Sequence, residues 1–172
     1  MASTIKESAA FHENVKRIDL QNQDNYASWS MNTKRDQVIQ RTFEAAAAAR
    51  ANAYTPYSHY KVGAAVHVSG SDEYIAACNV ENVSYGATVC AERNAIFASV
   101  ARHGTVNIDE LVVVSDDDPP AVPCALCLQV LQEFCPPELP IHIATPEGVR
   151  YTVTLGELLP HPFKSFHENE ET

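Results

Sequence analysis

Hydrophobic and polar positions follow two rhythms along this chain, and the switches between them outline its elements. Residues 1–35 hold neither rhythm and include a short polar run at 21–25, so they read as a mobile or loosely docked extension. An alanine-rich stretch over residues 36–53 sets Ile39, Phe43 and Ala47 on one stripe and predicts a helix, which Thr55-Pro56 ends. Residues 62–68 read as a strand, Ser69-Gly70-Ser71-Asp72 as a turn, and residues 74–80 as the antiparallel return strand. A helix is predicted over residues 88–103, with Ile96 and Val100 inward and Gly104 as its stop. Leu111-Val112-Val113-Val114, within residues 110–115, is an apolar run without alternation, suited to a strand covered on both faces. After a loop over residues 116–122 with two prolines comes a helix over 124–134, with Leu126, Val130, Leu131 and Phe134 on one side. Two strands, 141–145 and 149–153, and a short helical turn before Leu158-Leu159-Pro160 complete the pattern.

The order α-β-β-α-β-α-β-β predicts an α/β fold, a three-layer α-β-α sandwich around one mixed five-stranded sheet. That domain spans residues 36–166, followed by a frayed acidic tail at 167–172. A chain of 172 residues fits one domain, and its 45 % apolar content suffices for a packed core. Charge narrows the partners. With 22 acidic against 12 basic side chains the formal net charge is −10, which repels phosphate backbones and argues against long nucleic acid. A small neutral ligand is left largely unaffected. No stretch is apolar and long enough to cross a bilayer, and the first residues lack the apolar run of a secretory signal, so the expected location is cytoplasmic, away from membranes.

The five cysteines are an odd number, and in a reducing compartment they point to a metal or thiol centre rather than disulfides. The chemically loaded segments are Cys90-Ala91-Glu92-Arg93 and Pro123-Cys124-Ala125-Leu126-Cys127. Pro123 suits the first position of a helix, which would put Cys124 and Cys127 on one face of its opening turns. Cys90 falls near the start of another helix, and helix N-termini favour thiolates. Together Cys90, Cys124 and Cys127 suit one tetrahedral Zn²⁺ with a fourth position for water, the arrangement of a catalytic site. Glu92, two residues from a ligand, can reach such a water as a proton shuttle. Three thiolates and Zn²⁺ sum to −1, and Arg93 is the candidate counter-charge. The competing reading is a closed structural site, with Cys78 or Cys135 as a fourth thiolate.

The Cys-Ala-Glu-Arg and Pro-Cys-x-x-Cys pair resembles the cytidine deaminases of the small homotetrameric type with three cysteine ligands. Three further segments are similar to that family: residues 53–65, 78–86 and Leu158-Leu159-Pro160-His161-Pro162-Phe163. The resemblance implies one zinc ion per subunit and hydrolytic deamination of free cytidine and 2′-deoxycytidine to uridine and 2′-deoxyuridine, with release of ammonia, a step of pyrimidine salvage. Zinc-bound hydroxide would attack, with Glu92 carrying the proton. Asn79 and Glu81 match positions that bind the ribose 3′-hydroxyl, and Tyr60 one that stacks on the pyrimidine. The Ala91 N–H would meet the pyrimidine carbonyl, and the Val122 carbonyl would accept from the exocyclic amine. Phe163 and Tyr85 match residues at a wall shared between subunits, so the implied partners are the nucleoside and three further copies of the chain. Two departures stand out: Ala125 replaces the family's glycine and Leu128 its arginine, which leaves Arg93, with Gln129 to hold it in place, more of the charge balance. Against this stand two rivals, a catalytically silent zinc module and an editing enzyme acting on a base within RNA or DNA.

Overall fold

The computed structural model describes residues 33–117 and 119–165. The expected extension, as far as residue 32, and the acidic tail lie outside the described residues. Residues 33–35, expected within that extension, instead open the first helix, α1 (Lys34–Arg50). The reason is a capping box: the Thr33 hydroxyl accepts from the Asp36 N–H, and the Asp36 carboxylate accepts from the Thr33 N–H. The chain continues through β1 (Val62–Val68), β2 (Tyr74–Cys78), α2 (Ala91–His103), β3 (Ile108–Ser115), α3 (Ala125–Phe134), β4 (Pro140–Thr145), β5 (Gly148–Thr154) and α4 (Leu155–Leu158).

One sheet of order β2-β1-β3-β4-β5 forms the middle layer. Only β3 and β4 run parallel; the other neighbours are antiparallel. The apolar run at 111–114 shows why the sheet is covered on both sides. Leu111 and Val113 enter the larger core with Ile96 of α2 and Leu131 of α3. Val112 and Val114 enter the smaller one with Ala46 of α1. The fold is therefore the three-layer sandwich that the sequence predicts.

Two helical faces differ from expectation. The fully buried positions of α1 are Thr42 and Ala46, with Phe43 and Ala47 at the margin. In α3 the buried side is Cys127, Leu128 and Leu131, while Leu126 is 64 % exposed. Of the expected stripe, Leu131 lies in the larger core, whereas Leu126, Val130 and Phe134 line an open groove of about 400 Å³ with Arg93 and Phe97 of α2. Pro123 also falls outside the helix, because Cys124 is the N-cap.

Gly63 lets α1 approach the sheet. A Cβ there would lie 2.1 Å from the Ala46 carbonyl oxygen and 2.8 Å from the Arg50 nitrogen, both backbone atoms of α1. On the same face a polar row crosses the sheet. Arg35 and His142 each hold one oxygen of the Glu110 carboxylate at 2.7 Å, and the other His142 nitrogen meets the Thr152 hydroxyl at 2.8 Å. Burial pushes the Glu110 carboxyl up, and its bonds to His142 and Arg35 outweigh that push, so the group lies below the usual carboxylate value.

Two outcomes follow for stability. Gly63→Ala should destabilise the fold by roughly 1–3 kcal/mol through overpacking against helix backbone, read as a lower urea midpoint. For Glu110 the folded value is depressed. Its contribution is therefore present above the unfolded carboxylate value and is lost as pH falls through the folded one. Glu110→Gln should lower stability at neutral pH and flatten its acid dependence; parallel curves for the two proteins would contradict the assignment.

Candidate active site

Strand directions bring the two cysteine segments together. β1 is antiparallel to both β2 and β3, so β2 and β3 end on the same edge of the sheet, one strand apart. The helix that follows each of them starts at that edge. After β2, a two-bond bridge between Val80 and Val89 folds the chain back and delivers Cys90. After β3, the loop is tied by the Ala121 N–H to the Ser115 hydroxyl at 3.0 Å and by an ion pair between Arg50 and Asp116, and it delivers Cys124.

Cys90 and Cys124 occupy the same position in their helices. Both are N-caps with extended backbone, φ −69° and ψ 157° for Cys90, φ −71° and ψ 163° for Cys124. Their carbonyls accept the first helical bonds, from the Asn94 and Leu128 N–H groups. Neither thiol makes a capping hydrogen bond, so both sulfurs face outward from the helix start with no backbone task. Cys127 sits one turn into α3 and is buried.

The three sulfurs lie within 4.8 Å of one another, with Cys90 to Cys124 at 3.8 Å and Cys124 to Cys127 at 3.6 Å. A tetrahedral ion with metal–sulfur bonds near 2.3 Å would space its sulfurs by about 3.8 Å. The donor set and its spacing fit zinc. Among the described residues this is the only such cluster, and Cys78 and Cys135 are not in it. Cys78 ends β2, where its carbonyl accepts from Asn94, and Cys135 is buried at the end of α3, which pushes its thiol up to about 12. The structure thus supplies no fourth thiolate for a closed site.

Electrostatics at the cluster follow from its neighbours. The Cys90 thiol lies below its usual value because Cys127 hydrogen-bonds to it and Arg93 stands beside it; Cys127, on the donor side, is pushed up. One Arg93 nitrogen donates to Cys90 Sγ at 3.8 Å and to the Thr88 carbonyl at 3.2 Å. Glu92 is only 4 % exposed. Burial pushes its carboxyl up to about 7, with the Cys90 charge adding to the effect.

The whole matched region carries the signature of a known family. Residues 36–143 match the model of the "Cytidine and deoxycytidylate deaminase zinc-binding region". The chain belongs to the cytidine deaminase family. It is 38 % identical over 122 residues to the cytidine deaminase of Halalkalibacterium halodurans, covering 71 % of this chain and 91 % of that protein. It is 40 % identical over 116 residues to that of Mycobacterium tuberculosis, covering 67 % and 81 %. The crystal structure of the cytidine deaminase from Burkholderia pseudomallei superposes with a TM-score of 0.67 at 38 % identity, covering 72 % of this chain and 98 % of that one.

The structure places the remaining candidates in two groups. Asn79, Glu81 and Tyr60 gather around the loop between α1 and β1. Asn79 Oδ1 accepts from the Val62 N–H at 2.9 Å, and its Nδ2 donates to the Tyr60 carbonyl at 2.9 Å. Glu81 Oε2 accepts from the N–H groups of Tyr57 and Ser58. The Tyr60 hydroxyl lies beside Ser115 and Asp117, and burial raises it above the usual phenol value. Glu81 and Tyr85 share a cavity of about 310 Å³ with Tyr57, Ser58 and Thr88. Those last three were missed in the sequence, where nothing marks a tyrosine, a serine and a threonine as lining one cavity.

The second group lies along α3. Gln129 does not turn to Arg93: its amide nitrogen donates to the Phe163 carbonyl at 2.8 Å, and its oxygen accepts from the Phe163 N–H at 3.2 Å. It holds the C-terminal segment, while Thr88 and Cys90 hold Arg93. Val122, 44 % exposed, lies two residues before Cys124, and Ala91 opens α2.

Metal analysis checks the ligand set. Cys124→Ser should lower zinc from one ion per chain to well below one, whereas Cys78→Ser and Cys135→Ala should leave it at one. Zinc loss on changing Cys78 or Cys135 would contradict the three-thiolate site.

Proposed function

We propose that this chain hydrolyses the exocyclic amine of free cytidine and 2′-deoxycytidine, giving uridine or 2′-deoxyuridine and ammonia. The observation that carries the proposal is Glu92: a buried carboxyl two residues beyond one metal-ligating N-cap, against a cluster whose three thiolates leave one corner of a tetrahedron for solvent. Zinc, when bound, supplies the Lewis acidity that makes water a nucleophile near neutral pH.

The chain's own groups do the rest. Glu92 accepts a proton from the attacking water and delivers it to the ring nitrogen N3, where it stays. It then takes the second proton from the new C4 hydroxyl and delivers it to the amine, which leaves as ammonia as the C4 carbonyl forms. The Ala91 N–H, in the first turn of α2, has no acceptor within its helix and is free to hold the pyrimidine carbonyl. The Val122 carbonyl accepts from the amine, Tyr60 stacks on the ring, and Arg93 offsets thiolate charge.

The sugar end argues for a free nucleoside. Glu81 is held below the usual carboxylate value, first by the Ser58 hydroxyl and then by backbone N–H groups, so it stays ionised. An ionised carboxylate takes a hydroxyl as donor, whereas a phosphodiester at that oxygen would bring like charge and no donor. The net charge of −10 acts in the same direction. This chemistry suits pyrimidine salvage in the cytoplasm, and no helix among the described residues is long and apolar enough to cross a membrane.

Exposed apolar side chains support a shared-site homotetramer. Tyr85, Leu126, Phe163 and Phe97 are between 47 % and 76 % exposed. They lie on the elements that carry the site, where further copies of the chain would cover them.

Glu92→Gln should retain zinc and lose about 10²- to 10⁴-fold in kcat, followed as the loss of cytidine absorbance. A zinc-loaded Gln variant at full rate, or an inert wild-type protein, would overturn the proposal.

A further inference from the structure

The loop that carries Tyr60 is built by the residues assigned to the sugar. The Glu81 carboxylate accepts three hydrogen bonds, all from residues 57 and 58: the two backbone N–H groups reach Oε2 at 2.9 and 3.2 Å, and the Ser58 hydroxyl donates to Oε1. The Ser58 hydroxyl in turn accepts from the Tyr60 N–H at 3.0 Å. Asn79 holds the other side of the same residue, at the Tyr60 carbonyl. Both backbone groups of Tyr60 therefore trace back to Asn79 and Glu81, one of them through a single serine hydroxyl.

Hydrogen-bond counting shows what Ser58 decides. A carboxylate offers about four acceptor positions. Two on Oε2 are filled by backbone and one on Oε1 by Ser58, which leaves a single position on Oε1 beside the cavity lined by Tyr57, Tyr85 and Thr88. Ser58 thus selects which lone pair a ligand hydroxyl can reach and prevents the carboxylate from rotating. The backbone between them is held in an unusual shape. His59 has φ 59°, and among the described residues it is the one non-glycine residue with positive φ. Such a conformation persists only where surrounding bonds over-determine it, and here the His59 N–H is also fixed to the Thr55 carbonyl at 3.1 Å.

We infer that Ser58 is a positioning residue that couples sugar recognition to base stacking: its hydroxyl aims the open lone pair of Glu81 at a nucleoside 3′-hydroxyl and, through the Tyr60 N–H, sets the backbone that carries the stacking ring. This rests on the nucleoside reading above. It adds a residue that touches neither metal nor base yet decides how well a nucleoside with an intact 3′-hydroxyl is held.

The test uses the full, zinc-loaded chain with cytidine and 3′-deoxycytidine as substrates. Ser58→Ala should raise KM for cytidine about three- to tenfold, the weight of one hydrogen bond, while kcat stays within about twofold. Ser58→Thr, which keeps the hydroxyl, should restore KM. With 3′-deoxycytidine the Ser58→Ala penalty should be smaller than with cytidine, reduced to the part that comes from the Tyr60 backbone, because the group that Glu81 is aimed at is gone. An equal penalty on both substrates, or an unchanged KM for cytidine, overturns the inference. Ser58→Gly makes the same comparison if the alanine variant does not fold. Failure of the wild-type chain to deaminate cytidine would sink the nucleoside reading itself, a result distinct from either of these.

Discussion

The arrival of two helix N-termini at one edge of the sheet is the constraint on which the site depends. It comes from strand direction alone: β2 and β3 run the same way on either side of β1, so α2 and α3 must start side by side. A cysteine at an N-cap position does the rest. Serine, threonine or aspartate there would turn back to bond the free N–H groups of its own helix. The thiols of Cys90 and Cys124 do not, and remain available to a metal. Cys127, one turn further on, adds a third sulfur from the buried side of α3.

That geometry also explains why Glu92 is buried. Glu92 lies in the first turn of α2, on the side of the helix where Ala91, Ala95 and Ile96 are fully buried. Ionising a carboxyl in that place is costly, which is why burial pushes it up. Arg93, next in line, remains at the rim and reaches Cys90 and the Thr88 carbonyl. The start of one helix thus sorts a thiol of the cluster, a buried acid and a cation within four residues.

Much of this was legible in the sequence. Strand runs and helix periods identify every layer, because burial on one or both faces leaves a periodic trace; the run at 111–114, divided between two cores, is the clearest case. Thiol spacing points to the three-sulfur cluster for a similar reason, since Cys-x-x-Cys at a helix start fixes two sulfurs on one face. What sequence could not carry is anything set by capping or by long-range side-chain bonds. The helix α1 starts at Lys34 because Thr33 and Asp36 bond each other, and α3 starts after Cys124, which displaces Pro123 and turns Leu126 outward. Gln129 has no local reason to choose Phe163 over Arg93. Its choice depends on where residues after α4 return, and no periodicity encodes that.

Leu128 illustrates how packing and electrostatics compete at one position. It follows Cys127, where a cation would sit close to the three sulfurs, yet it is only 6 % exposed and belongs to the large core with Leu131 and Ile141. An arginine in the same place would have to leave that core or bring an unpaired charge into it. The chain has taken core packing at this position. The charge that Arg93 contributes to Cys90 is therefore not duplicated by the residue after Cys127, and the thiolate-rich site relies on one rim cation, the helix N-termini and the burial of Glu92 to set its electrostatics.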